Sequence, residues 1–368
     1  MTGKSTKKLY KGLVFLLLTA AIFLYSGVAL IAGEEEEAAA PVGESPVAGK
    51  RIGYINWGNV SEYQIAHSEW FKRFAEAEGA KVTVIDGKID PTVQIKALED
   101  MAAAGVDGII IQPYDVVAVS PAINEVRKAG IPVMYIGSLP DPSAIIPAGG
   151  VYNDDVLVKE AAREAVAWLK KNKPGEKAKL VLFDYPMIVI CHEWRQLPFR
   201  DEVIRLMGED MVEIVYHEYT EHTIENCVRV MEDIIQSGRD FNMFFACGGT
   251  GAVGGMQALE AAGLATAVNG VPQDVWVLTI DATPAELDYL VDPNISVAVT
   301  IALTPKTNAM VFLDNFKKIL TGDIGPDSNY VANAPGVLLW KKDGCEKIRD
   351  TLSDQYAVVP GYSSLECP

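Results

Sequence analysis

Residues 51–86 read RIGYINWGNVSEYQIAHSEWFKRFAEAEGAKVTVID. A short apolar run at 51–56 is followed by a longer stretch at 64–78 whose apolar residues recur with helical spacing. Gly79 closes that stretch, as the residue that most cheaply takes the left-handed conformation beyond a helix end, and a second short apolar run follows at 81–86. Strand, helix and strand in that order form a βαβ unit, which calls for a parallel sheet.

Outward from this unit the alternation repeats. A helix is predicted at 91–104, a strand at 108–112, a helix at 120–129 and a strand at 132–136, with Gly105 and Gly130 closing the two helices. A second set runs helix 155–171, strand 180–184, helix 193–207, strand 212–219, helix 224–237, strand 243–246, helix 253–262, strand 275–280, helix 285–291 and strand 295–301. The helix at 306–320 is amphipathic through Ala309, Met310, Leu313, Phe316 and Leu320 and needs a sheet to cover. The roughly 320 residues of this body exceed what one compact core usually holds. The fold class is therefore α/β, with two doubly wound parallel-sheet lobes whose loops face each other across a crevice.

Upstream of the body, Lys4, Lys7, Lys8 and Lys11 precede an apolar run at 13–24 and the small residues Ser26, Gly27 and Ala29. This is the pattern of a secretory signal peptide, residues 1–29, and the body is expected outside the cytoplasm. The apolar stretch reaches Ala32, so an uncleaved anchor stays open as the alternative. Residues 30–49, with Glu34, Glu35, Glu36 and Glu37 and then Pro41, Gly43, Pro46 and Gly49, read as a flexible acidic linker.

The formal net charge of −17 argues against a nucleic-acid partner. The five cysteines show no metal-like spacing, and the four histidines are scattered, so neither a metal nor a cofactor is expected. Cys345 and Cys367 are open to pairing in the tail, although the reading leans against that bond. His217 and His222 read as surface or cleft-rim residues.

Gly249-Thr-Gly-Ala-Val-Gly254 matches the dinucleotide fingerprint and follows a strand, but the acid required about twenty residues later is not at the end of the next strand. It reads as a close-packed cleft turn. In Cys191-His192-Glu193-Trp194-Arg195 a Cys beside a His invites a nucleophile reading, yet adjacent residues on a helix do not face one another. Binding is favoured there over catalysis. Trp57, Tyr63, Tyr114, Tyr185 and Trp194 all fall just after predicted strands, where rings suit the apolar face of a sugar.

Ile52-Gly-Tyr-Ile-Asn56, Gly105-Val-Asp-Gly-Ile-Ile-Ile-Gln-Pro113, Ala129-Gly-Ile-Pro-Val133, Asn153-Asp-Asp155 and Leu278-Thr-Ile-Asp-Ala-Thr-Pro284, in this order and spacing, resemble the ribose-, galactose- and xylose-type periplasmic binding proteins. That family is related to the ligand-binding cores of lac-type repressors. A repressor itself is excluded, because the N-terminus carries a leader where a DNA-binding unit would be. The resemblance implies three crossings between lobes near Tyr152, Leu303 and Asn329, with 50–152 plus 304–330 as one lobe and 153–303 plus the tail 331–368 as the other.

The family's ligand residues carry over in part. Trp57, Glu62 and Tyr63 stand in the first loop and Asp281 is kept, whereas Gly137 and Ser138 replace an Asp-Arg pair. Glu193 stands near the family's arginine with Arg195 two residues on, Gly248 and Gly249 replace a polar pair, and Leu303 replaces a glutamine. The expected ligand set is Trp57, Glu62, Tyr63, Tyr114, Asp115, Ser138, Glu193, Trp194, Arg195, Gly248 and Asp281. The implied function is that of a monomeric extracytoplasmic solute-binding protein. It takes a sugar or polyol to the membrane permease of an ABC transporter, and a chemoreceptor is a further partner. Glu62, Asp115, Glu193 and Asp281 leave a nitrogenous or cationic ligand as the alternative. An exported enzyme using the cleft ranks far below, for lack of a nucleophile–base pair or metal cluster.

Overall fold

The computed structural model describes residues 44–141, 145–152, 154–186, 188–221, 223–352, 354–359, 365 and 367. The leader, most of the linker, Asn153 and His222 lie outside the described residues.

The first lobe is built on β1 (Arg51–Ile55), β2 (Lys81–Ile85), β3 (Gly108–Ile111), β4 (Val133–Gly137) and β5 (Ala148–Val151). Helices α1 (Glu62–Ala77), α2 (Pro91–Ala104) and α3 (Val116–Lys128) connect the first four strands. The second lobe contains α4 (Asp155–Asn172), β6 (Ala178–Asp184), a turn of helix at Val189–Cys191, a π-helical turn at His192–Gln196, α5 (Leu197–Met207) and β7 (Val212–Tyr219). It continues with α6 (Ile224–Gln236), β8 (Met243–Ala246), α7 (Gly249–Ala261), the small hairpin β9 (Ala267–Val268) and β10 (Val271–Pro272), β11 (Trp276–Asp281), α8 (Pro284–Val291) and β12 (Val297–Leu303). Then come α9 (Pro305–Thr321), β13 (Val331–Asn333), β14 (Gly336–Trp340) and α10 (Cys345–Leu352).

Two six-stranded sheets result, ordered β13-β5-β4-β3-β1-β2 and β14-β12-β11-β8-β6-β7. Every pairing within them is parallel except the edge strand β14 against β12. The strand order reverses between β1 and β3 in one sheet and between β6 and β8 in the other, so each lobe opens a crevice at the carboxyl ends of those strands. Strand β3 is buried along its whole length, as a central parallel strand covered by helices on both faces must be. The predicted helix ends hold: Gly79, Gly105 and Gly130 have φ of 91°, 66° and 83°.

Several expectations are corrected. Helix α3 begins at Val116, because the Asp115 carboxylate accepts from Val117 N and Ala118 N at 3.0 and 2.9 Å and caps it. Helix α7 begins at Gly249, so the glycine run is helical. A Cβ on Gly254 would stand 2.7 Å from Ile224 O, and one on Gly255 2.3 Å from the Phe244 ring, so these glycines let α7 lie close against α6 and β8. Val331–Asn333 pairs with β5, which moves the third crossing from near Asn329 to after Asn333. The tail does not stay with the second lobe. Ile348 and Leu352 enter that lobe's core, but Gln355 is bound to the first lobe, its O accepting from Trp70 Nε1 at 2.7 Å and its Oε1 from Lys306 N at 3.0 Å, and Tyr356, Val358 and Val359 join the apolar cluster that contains Tyr54 and Phe71. Cys345 and Cys367 are bonded, against the leaning of the sequence reading, and Cys191, Cys227 and Cys247 are buried outside any disulfide.

Candidate functional site

A cavity of about 480 Å³ lies between the carboxyl ends of the two sheets, a size suited to a small-molecule ligand. Its first-lobe wall comes from the residues after β1, β3 and β4. The Trp57 and Tyr114 rings stack there with centroids 6.0 Å apart and planes 6° apart. Their spacing is set from behind by Gln94, fully buried on α2. Gln94 Nε2 donates to Asn56 O at 2.9 Å and Gln112 O at 2.8 Å, while Gln94 Oε1 accepts from Tyr114 N at 2.9 Å. Trp57 Nε1 is buried without a hydrogen-bond partner among the described residues. Tyr63 enters from α1, its hydroxyl accepting from Asn308 Nδ2 of α9 at 2.9 Å.

The second-lobe wall follows β6, β7, β8 and β11. Arg195 sits in the π-helical turn, a widened helical geometry frequent at functional sites. It is 4% exposed, donates from Nε to Asp154 Oδ2 and from Nη1 to Cys247 O, both at 2.7 Å, and lines the cavity. Asp281 ends β11 with φ of 97°, and Ala282 after it has φ of 53°, two successive non-glycine residues in the sparsely populated left-handed half of the map. Asp281 Oδ2 accepts from Gly249 N at 3.0 Å, which places a carboxylate at the N-terminus of α7. Burial raises the Asp281 carboxyl above its ordinary range, and Arg195 works in the opposite direction. The following helix is capped by other groups, since Thr283 N and Oγ1 both donate to Glu286 Oε2 at 2.9 Å.

Of the expected ligand residues, Trp57, Tyr63, Tyr114, Ser138, Arg195, Gly248 and Asp281 line this cavity. Four do not. Asp115 caps α3, Glu62 is half-buried in the first turn of α1, and Glu193 is exposed. Trp194 is half-buried against the first-lobe core and serves as a contact between lobes. Within the dense segment at 191–195, Cys191 and Arg195 both turn to Cys247 O and the cavity, while Glu193 is exposed and Trp194 packs on the first lobe. His192 turns from Cys191 to Asp184, so no nucleophile–base pair forms there. Gln64, Gln112, Tyr152, Tyr219 and Thr250 line the cavity without having been foreseen. Gln112 and Tyr219 stand at strand ends that were visible in the sequence, whereas Gln64 and Thr250 lie on helices and Tyr152 follows β5.

A second convergence lies beside the cavity. His192 Nδ1 is 2.5 Å and His217 Nε2 2.9 Å from Asp184 Oδ2. The three donor atoms lie within 4.8 Å of one another. Sequence reading found no such cluster, because the residues are 8 and 33 positions apart and meet only when β6 and β7 pair in parallel.

The family described as periplasmic binding protein domain matches residues 52–324. The ribose import binding protein of Bacillus subtilis (strain 168) is 23% identical over 313 residues, covering 85% of this chain and 94% of the relative. The periplasmic binding protein component of the arabinose ABC transporter from Shewanella sp. ANA-3, solved with L-arabinofuranose, superposes with a TM-score of 0.69 at 21% identity. It covers 86% of this chain and all of the neighbour. An ABC transporter solute binding protein from Bacillus halodurans with bound myo-inositol gives 0.66 at 21% identity, covering 81% and 96%.

Proposed function

We propose, from the premise that this chain belongs to the periplasmic binding protein domain family, that it captures a sugar or polyol between its lobes and delivers it to the membrane permease of an ABC importer. The observation that carries this reading is the pairing of walls: the Trp57–Tyr114 stack faces a cavity that also holds Asp281 and Arg195. A pyranose, furanose or cyclitol offers an apolar face to the rings and hydroxyls to the charged pair, and charge-assisted hydrogen bonds are the strong ones. Ribose, arabinofuranose and myo-inositol in the names of relatives support the same class.

A cationic ligand is the weaker reading. Arg195 beside Asp281 already supplies a positive charge that answers the carboxylate and repels a second cation. The family is one of solute binding, and the protein acts as a monomer that releases its ligand unchanged on the outer side of the membrane, with a chemoreceptor as a second reader of the closed form.

A thermal-shift panel of pentoses, hexoses, inositols and linear polyols set against cationic amines tests the assignment, since a ligand bound only by the folded state raises the melting temperature. A shift from at least one sugar or polyol is expected. Shifts confined to amines overturn the ligand class, and turnover of a bound sugar seen by mass spectrometry overturns the non-enzymatic role.

A further inference from the structure

We propose that Asp184, His192 and His217 form a binding site for a divalent transition-metal ion of the zinc type, at the rim of the cleft in the second lobe. The three residues come from separate elements: Asp184 ends β6, His217 lies in β7, and His192 opens the π-helical turn. Their donor atoms nevertheless converge on one point. The Asp184 side chain is 2% exposed, and its other oxygen, Oδ1, accepts from Tyr185 N at 2.7 Å. That bond fixes the carboxylate with Oδ2 turned to both imidazoles, the kind of outer contact that orients metal ligands. The imidazoles reach solvent, with side chains 28% and 12% exposed, so an ion has an entry path and a water can complete its coordination.

The donor chemistry selects the ion. Two imidazole nitrogens and one carboxylate oxygen match the three-ligand open sites of zinc, whereas calcium and magnesium call for shells made largely of oxygen. Metal–ligand distances of about 2.0–2.1 Å in tetrahedral geometry hold donors roughly 3.3 Å apart, so Asp184 Oδ2 must draw back from each imidazole nitrogen by less than about 1 Å, while the two nitrogens, within 4.8 Å of one another, settle to the same spacing. Loading exchanges the two hydrogen bonds to Oδ2 for metal bonds: the proton on His192 Nδ1 and that on His217 Nε2 each give way to the ion, passing to solvent, and each neutral ring keeps its one proton on the other nitrogen.

The site has a mechanical consequence. Tyr185 follows Asp184, Tyr219 lies two residues past His217, and Arg195 shares a turn with His192, and all three line the ligand cavity. An ion joining β6, β7 and the π-helical turn would hold the bases of these side chains to one another.

The test uses the full chain, stripped with a chelator and titrated with zinc chloride by calorimetry and equilibrium dialysis. One ion per chain is expected, together with a higher melting temperature on loading. His192→Asn and His217→Asn should each weaken zinc binding by at least about 100-fold, since loss of even an outer-shell partner costs 10–100-fold. Both stripped variants should melt close to the stripped wild type. Zinc binding of unchanged affinity in both variants, or none by the wild type, overturns the site. If a variant does not fold, the wild type still decides: zinc should protect His192 and His217 from acylation by diethyl pyrocarbonate, read by peptide mass, and equal modification with and without zinc refutes the assignment.

Discussion

The hydroxyls of Tyr114 and Tyr185 stand 3.0 Å apart across the cleft, one carried by the loop after β3 of the first lobe and the other by the residue after β6 of the second. Such a bond exists only while the lobes are close, so it favours the closed arrangement by the net value of one hydrogen bond, about 0.5–1.5 kcal/mol. Tyr114→Phe and Tyr185→Phe should each enlarge the radius of gyration of the ligand-free protein in small-angle scattering. The double variant should change it no further, because either substitution removes the same interaction. Additive effects would mean that the two hydroxyls act separately.

Asp281 and Thr283 sit two residues apart and carry different duties. Thr283 and Glu286 form the cap of α8, whereas Asp281 lines the cavity. Asp281→Ala should weaken sugar binding by about tenfold to a few hundredfold, the value of one or two charge-assisted hydrogen bonds. Thr283→Ala should leave affinity alone and lower stability by about 1 kcal/mol. Titration calorimetry and denaturant melts on both variants check the division. Wild-type affinity in Asp281→Ala would show that its carboxylate serves only Gly249 N.

His67 is wholly buried on α1 between the Tyr54 hydroxyl, 2.6 Å from Nδ1, and Gln64 Oε1, 2.8 Å from Nε2. Burial lowers its pKa to about 3 from an ordinary 6.5. The unfolded chain therefore binds a proton that the folded one refuses. The stability tied to a neutral His67 is fully present above pH 6.5 and is lost as the pH falls toward 3, at up to about 1.4 kcal/mol per pH unit. Chemical denaturation at pH 7 and pH 5 should show a steeper loss in the wild type than in His67→Gln. Parallel losses would assign the acid sensitivity to other groups.

The strands and helices of both sheets were legible wherever apolar period and a terminal glycine agreed, as from β1 to α3. Strand β5 was not legible, because its sequence Ala-Gly-Gly-Val lacks the side chains that mark a strand. The reason is tertiary: a Cβ on Gly150 would stand 2.2 Å from the ring of Phe312 on α9. The return of residues 354–359 to the first lobe is likewise long-range, resting on Trp70 Nε1 donating to Gln355 O at 2.7 Å and Lys306 N donating to Gln355 Oε1 at 3.0 Å, while the Tyr356 hydroxyl donates to Asp281 O of the second lobe at 2.8 Å. At the site, aromatic residues after strands were readable from position alone. The acids were less so, because a carboxylate beyond a strand can equally cap the next helix, as Asp115 does, or face solvent, as Glu193 does.

Arg195 was read as a ligand residue, and its burial gives it a structural load as well. Its guanidinium and the Asp154 carboxylate are 5% and 3% exposed, and the two join at 2.7 Å. Removing one partner of a buried pair leaves an uncompensated charge, which costs about 3–5 kcal/mol, while replacing both with apolar groups is often neutral. Arg195→Met should therefore lower the denaturation free energy by about that amount. Here the penalty falls on Asp154, and Asp281 loses the nearby charge that opposes its upward shift. Arg195→Met combined with Asp154→Leu should regain much of the lost stability. Sugar affinity should stay low in both variants, because the guanidinium proposed to meet ligand hydroxyls is gone from each. Equal stability of Arg195→Met and the wild type would show that water reaches Asp154 when Arg195 is lost, and recovery of affinity in the double variant would remove Arg195 from the ligand set.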